Sequence, residues 1–346
     1  MPATERKRKY NSWLMMKSVY GIKLDDSLNH EIEIDGVTLI SKSKLLDERV
    51  RKRLNLVKSL KDIDSFDTEC ETFAIQRVYE KNSIPKELLQ KNFETLVREI
   101  SYIILATIVE IQNVTNKPLI NLDGKPTKTQ SDFAIHDLSE EKVIVTREFK
   151  RPYKTYTLTK EHLDIDKSSG FLCSYLKLDN SEMNNSMKQD IRNSIIFLGH
   201  SQNSTEPYIS FLYNMIALDC LLISGKAKHA ETAQKKIKTF FGWTDYFNEE
   251  LHKNNITKIY KTRSDMVHDG NVESITREHV LYAEFILKNL LHNLCKYPNI
   301  FKSKTALDEF LKIADAERVL GIPSMKSKVF PKKFKFFNNN KITFLN

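Results

Sequence analysis

Apolar and polar positions alternate through "EIEIDGVTLI", residues 31–40, on either side of Asp35-Gly36. A period of two sends successive side chains to opposite faces of a strand. Asp-Gly supplies the positive backbone angles of a two-residue turn, so the stretch predicts a β-hairpin. Helical spacing follows over about 42–60 and again over about 86–112, entered at Pro85, a residue suited to a first helical turn. The second segment holds the longest apolar run, "ISYIILATIV" (100–109), flanked by Glu99 and Glu110. A bilayer needs about 20 such residues, so the run reads as a buried helix. Over 117–159 strand character returns in "SDFAIH", "KVIVTREF" and "YKTYTLT", and a polar stretch over 177–190 leads into the C-terminal half.

From Ser204 the pattern is helical nearly to the end. "STEP" offers a cap followed by Pro207 for the first turn. Leu212, Met215, Ile216, Asp219, Leu222 and Ile223 then share one face. A carboxylate on an apolar stripe costs several kcal/mol if buried alone, so Asp219 is expected to have a partner. Further helices fit 230–241, about 245–267, and a long one from Thr276, where Val280, Ala283, Leu287, Leu290, Leu291 and Leu294 form a seam. Short connections between such helices predict an antiparallel bundle. The fold class is therefore α+β. A mixed helix and β-hairpin region spans 1–203, a helical bundle spans 204–320, and a basic, aromatic tail spans 321–346.

Composition narrows the function classes. Hydrophobic residues make up 40% and charged ones 29% of 346, which suits a globular protein. Cys70, Cys173, Cys220 and Cys295 are scattered without zinc spacing, and no secretory pattern follows the early "RKRK". A cytoplasmic protein with no membrane segment is expected. The net charge of +9 is concentrated in clusters at 5–9, 49–53 and 326–336. Such clusters attract polyanions, and the phenylalanines of the last can stack on bases.

The candidate chemistry lies in "YKTRSDMVHDGN", residues 260–271. Ile256, Tyr260, Arg263 and Val267 recur at i, i+4, i+7 and i+11, which puts Arg263 on the bundle-facing side, where its permanent charge demands an anion. His268 stands five residues on, roughly 140° around an ideal helix. Asp269-Gly270-Asn271 is a stop signal. If the helix ends at Val267 or His268, the imidazole can swing back towards the guanidinium. An imidazole would then move the proton of an RNA 2′-hydroxyl or of the leaving 5′-oxygen, while the arginine stabilises charge on the phosphorus. This chemistry calls for no metal and no cofactor.

At these residues the chain resembles the HEPN superfamily, and within it the Apea-like HEPN domains. "RSDMVHDG" (263–270) matches their Arg-x4–6-His motif at a helix end, preceded by "IY", and "ALDCLL" (217–222) resembles their upstream acidic helix. The resemblance covers about 204–297. It implies a ribonuclease with Arg263 and His268 catalytic, Ser264 as the polar residue after the arginine, and Asp219 orienting Arg263. Aspartate stands there where the family has glutamate, one methylene longer. The resemblance further implies RNA as substrate, a homodimer with facing motifs, and a setting in antiviral defence or a toxin system, with an antitoxin or phage trigger as partner. Other members serve as non-catalytic dimerisation or RNA-binding modules, and that is the alternative reading. The apolar seam from Val280 to Leu294, with the nearly as rich Asp219 helix, is expected to make a homodimer through the bundle; core packing that absorbs both seams is the alternative.

A second pattern competes. Asp132, then Glu148-x-Lys150 on the next strand, with Glu99 on an upstream helix, resembles the PD-(D/E)xK nucleases, in which carboxylates hold Mg²⁺. The proline of that motif is missing, with Gln130-Ser131 in its place.

Overall fold

The computed structural model describes residues 11–54, 70–80, 85–108, 129–137, 142–150, 156–164, 171–204, 206–223, 229–241, 249–322 and 327–329. Two compact units result, Met1–Ser101 with Ile120–Lys160, and Tyr102–Leu119 with Glu161–Asn346. The architecture is mixed α+β. Among the described residues, no helix is long and apolar enough to cross a membrane.

The first unit is built on a six-stranded antiparallel sheet. Its strands are β1 (Asn11–Val19), β3 (Glu31–Ile34), β4 (Val37–Ser41), β5 (Thr72–Glu80), β6 (Thr129–Asp137) and β7 (Lys142–Lys150), in the order β3-β4-β5-β1-β6-β7. β2 (Ile22–Leu24) pairs in parallel with β8 (Tyr156–Leu158) outside it. The predicted hairpin is β3–β4, with φ of 49° at Asp35 and 74° at Gly36. Leu14, Met16, Phe73 and Ile75 pack on one face against Leu45 of α1 (Lys42–Leu45) and Val50 of α2 (Glu48–Leu54). The helix expected over 42–60 is thus broken in two, and 55–60 lie outside the described residues. On the opposite face, Lys17 pairs with Glu94 and Lys86 lies over the Trp13 ring, so the first half of α3 (Lys86–Ile108) covers it.

The second unit is helical: α4 (Phe171–Leu176), α5 (Asn185–Asn203), α6 (Pro207–Leu222), α7 (His229–Phe241), α8 (Glu249–Asp269), α9 (Arg277–Lys296) and α10 (Lys304–Val319). α4 and α5 belong here, so this unit begins before Ser204. Asn184, within the polar stretch, caps α5 by accepting the Met187 amide. Most of the 321–346 tail, including its aromatic run, lies outside the described residues.

α9 is the central helix of the unit. Every residue from Tyr282 to Cys295 is buried, and the helix packs against α4, α5, α6 and α8 of its own chain. The seam expected to form a dimer interface is therefore used up internally. Even its charges are enclosed: Lys288 pairs with Glu284 at 3.0 Å, and the Gln202 amide donates to the same carboxylate at 2.7 Å. Pairing and hydrogen bonding are what permit two charges at such depth.

His252, buried on α8, contributes a pH dependence. Its Nδ1 lies 2.8 Å from the Tyr282 hydroxyl, and its ring stacks on Tyr282 and Phe285. Burial pushes the imidazole down to about 4. A folded-state value below the unfolded one means the unfolded chain binds the extra proton. Stability is therefore full above about 6.5 and is lost as pH falls towards 4. A depression of that size corresponds to a loss of about 3 kcal/mol. Urea midpoints of the parent and His252→Phe, compared between pH 7.5 and 4, should show a shallower acid loss in the variant. Parallel curves would remove His252 as the cause.

Candidate functional site

α6 and α8 together build the candidate site. Pro207 occupies the first turn of α6, with Glu206 at the cap position, while Ser204 closes the end of α5. Ala217, Leu218, Leu221 and Leu222 anchor α6 in the core, leaving Asp219 at the boundary with its side chain 19% exposed. On α8, Ile256, Ile259, Tyr260 and Met266 are buried and Arg263 is half-buried. The expected partner of Asp219 is Arg263, whose Nη2 donates to Asp219 Oδ2 at 2.7 Å. A guanidinium fixed by a carboxylate on a neighbouring helix keeps its remaining N–H groups for other acceptors.

The end of α6 is itself clamped. Lys236 of α7 donates to the Leu222 carbonyl at 2.7 Å and pairs with Asp308. Lys304 of α10 donates to the Ile223 carbonyl at 3.1 Å and pairs with Asp190. Cations on the last carbonyls of a helix satisfy acceptors that have no intrahelical donor and favour the helix dipole. These lysines hold the turn that carries Asp219. The sequence gives no periodic signal for them, because each comes from a different helix.

Tyr260 lies one turn before Arg263 on the same row. Its hydroxyl is buried and has no hydrogen-bond partner among the described residues. Burial, then the neighbouring Asp219 carboxylate, push the phenol upward, with Arg263 opposing. It remains a neutral hydroxyl beside the ion pair. The i, i+4, i+7 row included this tyrosine, but only as core.

His268 is placed differently from the conditional expectation. α8 runs on to Asp269, and Gly270 takes the left-handed turn with φ 68°. His268 is therefore still helical, and the roughly 140° offset from Arg263 persists. Within one chain the two side chains are not brought together. His268 is exposed, as are Ser264 and Val267, the last at 58%. The row that is buried at Ile256 and Tyr260 has left the bundle by Val267.

The competing metal pattern meets an obstacle in the sheet register. β6 and β7 pair Asp132 with Arg147, and Ser131 with Glu148. Directly paired positions share a face and neighbours along a strand alternate, so positions 132 and 148 belong to opposite faces. Among the described residues no group of three metal-ligating side chains occurs.

No family model, no curated protein and no solved structure matches this chain.

Proposed function

We propose that the chain is a metal-independent endoribonuclease of the HEPN type, with the α6–α8 pair as the core of its active site. The observation that carries this reading is the ion pair between Arg263 and Asp219, the two positions the motif resemblance names, joined at 2.7 Å from separate helices. In this role Asp219 orients Arg263, Arg263 stabilises charge on the phosphorus, and His268 moves a proton at the 2′- or 5′-oxygen. Ser264, the polar residue after the arginine in the motif, is exposed beside it.

The angular offset bears on assembly. One His268 cannot reach round α8 to the phosphate held by its own Arg263, so the reading calls for a second copy of the chain. With α9 enclosed, the dimer surface is the end of α8, where Val267 and Val272 are exposed beside His268. The same offset favours the runner-up, a non-catalytic RNA-binding module in which Arg263 and Asp219 simply lock two helices.

Incubation of the purified protein with mixed RNA, with and without EDTA, separates these readings. Cleavage unaffected by EDTA, leaving 2′,3′-cyclic phosphate and 5′-hydroxyl ends and sparing DNA, is the expected result, because the nucleophile is the RNA's own 2′-oxygen. Cleavage abolished by EDTA would overturn it. Binding without cleavage would leave the module.

A further inference from the structure

The first unit carries a cationic surface that the α6–α8 site does not use. Arg49, Lys52 and Arg53 of α2 stand at i, i+3 and i+4, so they line one side of the helix, and all three are exposed. Arg51 beside them is half-exposed. Three nearby carboxylates offset only part of this charge. Glu48 pairs with Lys52 at 2.7 Å, and Glu31 is shared by Arg53 and Lys44 at 2.9 Å each. The third, Asp47, is turned onto the backbone, accepting the Arg49 and Val50 amides at the start of α2.

What distinguishes this row from an ordinary solvated helix face is an aromatic ring fixed at its end. On β5, Ile75, Arg77 and Tyr79 alternate onto the face that α2 covers, and Ile75 belongs to the same cluster as Val50. Arg77 donates to the Leu54 carbonyl at the end of α2 at 3.2 Å and to the Tyr79 hydroxyl at 3.3 Å. The arginine therefore ties the ring to the basic helix. Tyr79 is 62% exposed even so. A phenol held in place yet open to solvent contributes little to a core and offers a flat π-face.

We infer that α2 and the end of β5 form a binding surface for single-stranded polynucleotide, with Arg49, Lys52 and Arg53 on successive phosphates and Tyr79 stacking a base. Cations tracking a backbone beside an aromatic platform are the recurring solution for binding single strands without reading sequence. The choice of RNA over DNA rests on the function proposed above. The surface itself requires only phosphates and one unstacked base.

The test uses the full chain carrying His268→Ala, so that binding is read without cleavage. Fluorescence anisotropy with a labelled 12-nucleotide oligouridylate, and with its DNA counterpart, is measured across a salt series. Charge reversal of Arg49, Lys52 and Arg53 together should lower the slope of log K against log salt by about 2, since each phosphate contact on a single strand contributes about 0.7. Tyr79→Ala should weaken binding about 5- to 150-fold with the slope unchanged, and Tyr79→Phe should recover most of it, because stacking needs the ring while the lost bond from Arg77 to the hydroxyl only loosens its placement. Equal weakening for RNA and DNA supports the surface while removing the RNA preference. If Tyr79→Ala binds like the parent, or if anionic vesicles compete for the triple-reversal site as well as oligouridylate does, the surface is not a polynucleotide site. Neither outcome touches the cleavage assay, so each reading stands or falls by itself.

Discussion

With His268→Ala, RNA cleavage is expected to fall about 10²- to 10⁴-fold, the usual contribution of a positioned proton transfer. The fold should be untouched, because the side chain is exposed at the end of α8 and nothing in the core rests on it. Arg263→Ala should lose comparable activity and also loosen the α6–α8 contact, since Asp219 then stays half-buried without its guanidinium. Arg263→Lys is the sharper variant: it keeps a charge but gives up the planar fork that can hold Asp219 and a phosphate together. Its activity should lie well below the parent at nearly parental stability. Asp219→Asn keeps an acceptor for Arg263 and removes the charge, so it should act on turnover through the position of Arg263. Urea melts and gel-based cleavage rates on the same four proteins separate these effects. His268→Ala cleaving as fast as the parent would end the catalytic assignment and leave Arg263–Asp219 as a structural pair. Mixing Arg263→Ala with His268→Ala adds the assembly test, because a site composed from two copies recovers one intact Arg–His combination per heterodimer.

How much of this was legible in the sequence depends on the chemistry of each segment. The β3–β4 hairpin was readable because Asp35 and Gly36 are rare residues able to take positive φ. β1 and β5 were not, because they sit in the middle of the sheet. Trp13, Leu14, Met15 and Met16 are buried on alternate faces, as are Thr72, Phe73, Ala74 and Ile75, so no polar alternation marks them. α5 was hidden by polar residues that turn out to be buried and bonded, such as Ser194, which donates to the Ala217 carbonyl at 2.9 Å. At the candidate site, the demand for a partner to Asp219 was sound, since it follows from the cost of burying a charge. The reach of His268 was not, because the Asp269-Gly270 signal marks the end of α8 without fixing its last residue. The surplus apolar seam on α9 was misleading for a related reason: a helix surrounded on all sides looks, one face at a time, like a helix awaiting a partner.

Gly199→Ala should destabilise the second unit by about 1–3 kcal/mol, although helix propensity alone favours alanine there by about 1 kcal/mol. Gly199 lies within α5, and a Cβ built on it would stand 2.5 Å from Tyr102 Cβ, 2.6 Å from Tyr102 O and 2.7 Å from Tyr102 Cα. Two of those atoms are backbone, so no rotamer change relieves the overlap. α5 must move away from the end of α3. That movement has consequences nearby: the Tyr102 ring lies 3.9 Å from the His200 ring, which stacks in turn on Tyr213 of α6. α6 carries Asp219, so a displaced α5 reaches the Arg263 pair through packed rings rather than by direct contact. A unit of this size converts each kcal/mol into roughly 2–4 °C of melting temperature. Thermal melts should therefore show a drop of several degrees for Gly199→Ala, with a larger one for Gly199→Val. Tyr102→Ala in the same chain leaves Cβ and backbone in place and should not rescue it. A Gly199→Ala protein that melts at or above the parent temperature would mean that α5 and α3 have room to separate, and that the glycine is there by chance.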